Sequence, residues 1–284
     1  MRYKYYYYLS ANSRLIEYLD ANHIRYTISE SKITTTKVIF SLWSSSANTS
    51  AHVKNLAGLC CRDPIITTEF SKAELEQAKL LVVRPKRQKI EITNGKEAFA
   101  HSCVRVDSFG ITRVEHEWQI GTLAISKEPS MKTNTALWAS DSGFAEIFAD
   151  GRVYELVASN GLSGIKFEKV ILKDGTYSNK LYQITSQHLI QQEMISMGHG
   201  EKIQKCPICG KEQFCIDSSY QLHLNDLETI LDSDFYATDR IFGDGIAEPL
   251  YIISQRFYQL LKKNNLAGSV SFSPVVDASK QSII

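Results

Sequence analysis

Apolar residues along this chain recur at two spacings, and the alternation between them lays out a repeated unit. In the stretch from Arg152 to Val170, Val153, Leu156 and Val157 fall at i, i+3 and i+4, the buried stripe of an amphipathic helix. Ile165 and Phe167 then alternate with polar neighbours, as in a strand with one buried face. The pattern returns near the C-terminus. At a constant offset of 104, Arg152/Arg256, Tyr154/Tyr258, Leu156/Leu260, Asn160/Asn264, Leu162/Leu266 and Gly164/Gly268 are identical. One inserted residue later, Ile165/Val270, Phe167/Phe272 and Val170/Val275 agree in character. Apolar runs at Ala145–Ala149 and Leu250–Ile253 precede the two helices and predict strands. Asp150 and Ser254 stand where helix N-caps are needed. Gly161 and Asn265 stand at the C′ positions, where a left-handed residue ends a helix and a following Leu makes its apolar contact. Each copy is therefore expected to be strand–capped helix–strand, a packing frame in the first instance.

The N-terminal pattern repeats this more faintly. Lys4–Leu9 is an aromatic strand candidate, Asn12 a cap, and Leu15, Ile16 and Leu19 a helical stripe; Ile24–Ser29 reads as a strand. Arg14, Glu17, Asn22 and Ile24 align with Arg152, Glu155, Asn160 and Leu162, which suggests a third, degenerate copy. Lys37–Trp43 predicts a strand, and His52–Leu59 a short helix ending at Cys60 and Cys61. Ser71 and Glu74 form a capping box. Strands are expected at Leu80–Val83 and Ile90–Thr93, with the basic run Arg84–Lys89 between them as a solvated turn. The turn signal Asn94-Gly95 marks the boundary between an N-terminal α/β domain, residues 1–95, and a C-terminal repeat domain, residues 96–284. The latter holds the copies near residues 145–172 and 250–276, with an insert at 200–220. The expected fold class is α/β (α+β), duplicated strand–helix–strand units on mixed sheets.

Composition narrows the function classes. Lys and Arg total 32 against 31 Asp and Glu, a formal charge of +1, which argues against a generic polyanion binder. No apolar run reaches the length of a membrane span, and no signal peptide is read at the N-terminus. Six cysteines without an export signal point to thiols or metal ligands in a reducing, cytoplasmic compartment. There is no P-loop, no G-x-G-x-x-G, no G-x-S-x-G and no H-E-x-x-H, so no enzymatic class is indicated. Gly243-Asp244-Gly245 is too short a signal for a phosphate cradle. The acidic segment from Asp226 to Asp239 reads as a solvated or partner-facing surface.

One motif carries chemistry. Cys206-Pro207-Ile208-Cys209-Gly210 has the form of a zinc knuckle: two thiolates two residues apart share one tetrahedral ion, and Gly210 permits the turn that aims amides at sulfur. Its flanks, Lys202–Lys205 and Lys211–Ile216, read as strands, unlike the helix start expected of a redox dithiol. A closed structural zinc site needs two further ligands. They come either locally, from Cys215 and His223, or from a distance, from Cys103 and His116 or His101 with Cys103.

The pairing of Cys206–Gly210 with the terminal sequence DRIFGDG…LYIISQRFYQLLKKNNLAGSVSFSPVV resembles the double-CxxCG motif family of bacterial immunity proteins, across the last third of the chain. The family carries two such motifs; this chain carries one. The resemblance implies a cytoplasmic immunity protein of a polymorphic toxin system, which neutralises a cognate toxin by protein binding and keeps zinc as a structural ion. The competing readings are a zinc protein acting on nucleotides or nucleic acid through the Arg84–Lys89 run, and a plain interaction module.

Overall fold

A computed structural model describes residues 2–10, 13–29, 37–44, 65–88, 90–106, 112–140, 146–191, 194–196, 202–205, 212–215, 221–242 and 248–280. The fold is mixed α/β, with helices packed on several sheets. The chain forms two compact units, Met1–Glu74 with Asp217–Tyr220, and Leu75–Ile216 with Gln221–Ile284. The expected boundary at residue 95 falls inside the second unit, because Leu80–Pro85 pairs with C-terminal strands. Asn94 is tied in there as well: its amide donates to Thr122 O at 2.9 Å and its carbonyl accepts from Ala124 N at 2.7 Å. Asn12, His52–Leu59, Cys60–Cys61 and Gly243-Asp244-Gly245 lie outside the described residues.

The first unit contains β1 (Arg2–Ser10), α1 (Ser13–Ala21), β2 (Tyr26–Ser29), β3 (Lys37–Ser44) and β4 (Ile65–Glu69), in the sheet order β2-β3-β1-β4. Strand β3 runs antiparallel to both β1 and β2, so those two are parallel and joined through α1 across an intervening strand. This is a split β-α-β unit. Helix α1 buries Leu15 and Leu19 completely, at i and i+4. It ends with His23 at φ 54°, His23 N–H donating to Asp20 O and Ile24 N–H to Leu19 O. The capping box forms as expected in α2 (Lys72–Gln77): Glu74 N–H donates to Ser71 Oγ at 3.2 Å, while Glu74 Oε2 accepts from Ser71 N at 2.7 Å.

In the second unit, α2 leads into β5 (Leu80–Pro85). Then come α3 (Gly95–Ala98), β6 (Phe99–Val106), β7 (Thr112–Gln119), β8 (Ala124–Ile125) and β9 (Leu137–Ala139). The expected strand at Ile90–Thr93 is reduced to a single bridge, Ile92 with Ile125. The first copy is β10 (Ile147–Asp150), α4 (Gly151–Asn160) and β11 (Ile165–Leu172), followed by β12 (Tyr177–Ser186). The insert holds β13 (Leu189–Ile190), β14 (Ile195–Ser196), β15 (Lys202–Lys205), β16 (Glu212–Cys215) and β17 (His223–Leu224). The second copy follows as β18 (Phe235–Phe242), β19 (Glu248–Ser254), α5 (Gln255–Lys263) and β20 (Val270–Pro274), then β21 (Val276–Asp277).

Both repeat helices end as their sequences require. Asp150 accepts from Arg152 N at 2.9 Å, and Ser254 Oγ from Phe257 N at 3.1 Å. Gly161 lies at φ 59° and Asn265 at φ 55°. Leu162 N–H donates to Val157 O, and Leu266 N–H to Leu261 O, the 6→1 bond of a Schellman motif. Asn160 and Asn264 each donate from the side chain to the carbonyl four residues back, at 2.8 Å, and Asn22 does the same to Tyr18 O. All three helices thus share one C-terminal design, and the degenerate third copy at the N-terminus is real in structure.

The sheets extend the equivalence beyond the helices. The first copy has the order β9-β10-β12-β11, the second β18-β19-β5-β20, with every neighbouring pair antiparallel. Ile184 of β12 pairs with Ile147 and Phe167; Val83 of β5 pairs with the equivalent Tyr251 and Phe272. The central strand of the second copy therefore comes from far upstream, where β12 and β3 follow their own units directly.

The copies also interlock. The turn after α4 bonds to the second hairpin, Asp234 N–H donating to Ser163 O and Ser163 N–H to Asp234 Oδ2. The turn after α5 bonds to the first, Gly268 N–H donating to Asn134 O. A shared core fills the space between them, with Leu137, Ile147, Val153, Val157 and Leu162 from one copy and Phe235, Ile253, Phe257, Leu261 and Leu266 from the other. The expectation that the acidic segment is solvated fails at Asp234, which is buried. Its carboxylate is needed inside, accepting from Ser163 N and from Ser254 Oγ at 2.6 Å.

Candidate functional site

The flanks of the cysteine motif are strands, as expected. β15 and β16 pair antiparallel, Lys205 with Glu212 at one end and Lys202 with Cys215 at the other. Cys206 and Cys209 themselves lie outside the described residues. Cys215 is at the open end of this pair, roughly 10 Å along the strand from Glu212. His223 is on β17, which pairs with β14 and β21 in a different sheet. It is half-buried, and burial lowers its pKa, favouring the neutral imidazole.

The distant candidates share one strand pair. Cys103 of β6 and His116 of β7 are backbone register partners, in a pair irregular on both sides of Cys103. Such partners have Cα atoms about 4.5–5.5 Å apart. His101 is opposite Glu117. The β6–β7 pair lies between β5 and β9, and the β15–β16 pair between β12 and β18, so both candidate ligand sets occupy the same interval of the repeat. Among the described residues, no group of three or more His, Cys, Asp or Glu side chains comes together. Also among them, no helix is long and apolar enough to cross a membrane.

A second feature was not anticipated from sequence. Around α4 of the first copy, Tyr154 stacks on Tyr182 at 5.2 Å and 15°, and meets Phe167 edge-on at 5.1 Å and 79°. Phe167 and Tyr182 are themselves edge-to-face at 5.9 Å. Tyr177, at the start of the same strand as Tyr182, has Lys169 Nζ 6.0 Å from its ring centroid. Tyr154 is 45% exposed and Tyr177 59%.

The second copy has the same edge-on pair, Tyr258 and Phe272 at 4.9 Å and 78°, but Tyr258 is only 4% exposed. Leu81 replaces Tyr182 there, and buried Pro274 replaces Lys169. Leu75 and Ala78 from α2 and its end pack against the core that contains Tyr258. The cluster joins a helix to two strands whose register the sequence does not reveal, though Tyr154 and Phe167 were visible as repeated positions.

The buried polar positions are structural. Gln183 bonds to Gln119 at 2.9 Å, and Ser140 donates to Glu146 at 3.2 Å. Tyr236 Oη accepts from Ser233 N at 2.6 Å and donates to Ile230 O, and burial pushes its pKa up to about 12. Arg152 is locked by Asp150 and by the carbonyls of Lys132, Thr133 and Thr135. The basic run keeps Arg84, Lys86 and Arg87 exposed as expected, but it is not a turn: Arg84 and Pro85 end β5 opposite Ser271 and Val270, and Arg87 bridges to Ala139.

No protein-family model matches the chain, and no curated protein matches it.

Proposed function

We propose that this chain is a non-enzymatic binding protein of the immunity type, which neutralises a cognate bacterial toxin in the cytoplasm by occupying its surface. The observation that supports this best is the difference between the two copies. One buries its tyrosine in the core; the other leaves Tyr154 and Tyr177 exposed, with Tyr154 packed on the half-buried Phe167 and Tyr182. Clustered exposed aromatics supply large contact area at low entropic cost, which is how protein-binding surfaces are built. The resemblance around Cys206–Gly210 names the class of partner.

In this reading zinc is a structural ion held by Cys206 and Cys209. The cross-strand partners Cys103 and His116 are the favoured second pair over Cys215, because their backbones already face each other. Zinc would supply a closed crosslink between inserts, with no open coordination position. Metal analysis of the purified chain is expected to give about one zinc per chain, and Cys206→Ser to lose it.

The functional test is co-expression with the toxin encoded beside this gene. Rescue of growth together with a stoichiometric complex is expected. Toxin-expressing cells that die equally fast with and without the chain would overturn the proposal.

A further inference from the structure

We infer that the aromatic–lysine face of the first copy docks an acidic amphipathic helix of the partner protein. This rests on the binding function proposed above and assigns the chemistry of the occupant.

The molecule supplies its own precedent. In the second copy, α2 runs directly into the central strand β5, and Leu75 and Ala78, at i and i+3, pack against the core containing Tyr258. Backbone bonds fix this segment to the start of α5: Gln255 N–H donates to Lys79 O at 3.0 Å, and Gln255 Nε2 to Glu76 O at 2.5 Å. The helix reads KAELEQ, a short apolar stripe between carboxylates. In the first copy the matching central strand is β12. The residues before Leu181, from Tyr177 to Lys180, are strand rather than helix. Among the described residues nothing replaces Leu75 and Ala78 there, and Tyr154 stays at the surface.

Charge selects the same occupant. Lys169 lies in register with this face as the cross-strand partner of Tyr182, and Lys180 is exposed on the irregular segment of β12 just before Tyr182. Both lysines are exposed, and among the described residues neither pairs with a carboxylate. Lys166 is held by Glu168 at 2.5 Å, and Glu155 is the exposed acid beside Tyr154. An incoming helix with an apolar residue over Tyr154 and a carboxylate beside it would meet Lys169, with Lys180 exposed further along β12.

The test uses the full chain with isotope-labelled tyrosine, titrated with a stapled helical peptide of the acidic sequence SQAELEQAQ, residues 71–79 with both lysines changed to glutamine. Resonances of Tyr154, Tyr177 and Tyr182 are expected to shift. A peptide with both glutamates changed to lysine is expected to bind about tenfold more weakly or worse. K169E combined with K180E should reverse that preference, with an unchanged melting temperature showing the fold intact. Equal shifts from both peptides, no tyrosine shifts, or shifts caused by single-stranded oligothymidine in place of the acidic helix would each overturn the inference. Toxin binding then separates the two proposals. Toxin that binds wild type and K169E/K180E equally removes this face while the immunity reading stands. Toxin that binds neither removes that reading, while the peptide titration still decides the chemistry of the face.

Discussion

The two copies of the repeat share their caps, strand order and register, yet one hides its tyrosine and the other displays it. Tyr154 and Tyr258 sit at identical positions on identical helices, each edge-on to the equivalent phenylalanine. The frame is thus set by residues the copies have in common. The surface is set by what stands at two strand positions, Tyr182 against Leu81 and Lys169 against Pro274, and by whether a helix leads into the central strand. Duplication with divergence at a few positions separates the part that sets the frame from the part left exposed.

The sharpest way to break the comparison is at the turn glycines. Gly164 has φ +81°, and a Cβ there would overlap Ser233 Oγ and stand 2.5 Å from Phe235 O. Gly164→Ala is expected to cost at least about 4 kcal/mol, seen as loss of a cooperative denaturant transition, because backbone cannot yield. Gly161→Ala, with φ +59° and nothing within 4 Å, should cost only about 1 kcal/mol. Equal effects would show that the interlock between copies is looser than Gly164 implies.

Next come the twin tyrosines. Tyr258→Ala should destabilise by about 3–5 kcal/mol in urea titration, since it leaves a cavity in the shared core. Tyr154→Ala should cost about 1 kcal/mol or less, having only its partly exposed ring contacts to lose.

The N-caps should be smaller. Ser254→Ala removes a cap and leaves the buried Asp234 carboxylate short of one donor, an expected loss of about 2 kcal/mol. Asp150→Asn keeps the cap oxygen and should cost about 1 kcal/mol, through its ion pair with Arg152 at 2.6 Å.

The smallest effect is in pH. Tyr236 occupies the hairpin position that Trp138 holds in the first copy. Burial raises its folded pKa from 10.0 to about 12. The folded state therefore holds the phenol proton more tightly than the unfolded state. That contribution is complete below pH 10 and is lost as pH rises from 10 through about 12. Tyr236→Phe should flatten this alkaline fall in melting temperature, whereas changing Trp138 should leave its pH dependence unaltered.

Much of this architecture was legible because local signals agreed with one another. Asp150, Ser254, Gly161 and Asn265 fix helix ends through bonds made within a few residues, so their roles survive in any context. The faint N-terminal copy was legible for the same reason, its Asn22 and Ile24 repeating the cap of Asn160 and Leu162. Strands β15 and β16 were readable beside the cysteine motif. The sequence did not disclose that Leu80–Pro85 belongs to the C-terminal sheet, since pairing across more than 160 residues leaves no local trace. Nor did it disclose that Asp234 is buried, because its partners Ser163 and Ser254 come from both copies.

By itself, then, the sequence determined the elements of the repeat, their caps and their threefold recurrence, all properties of short-range hydrogen bonding and apolar period. Only the tertiary structure decided which strand completes each sheet, how the two copies lock through Gly164 and Gly268, and which aromatic pair faces outward. Those outcomes depend on which distant segment reaches each sheet, and solvent exposure is a property of the assembled surface rather than of any one stretch of chain.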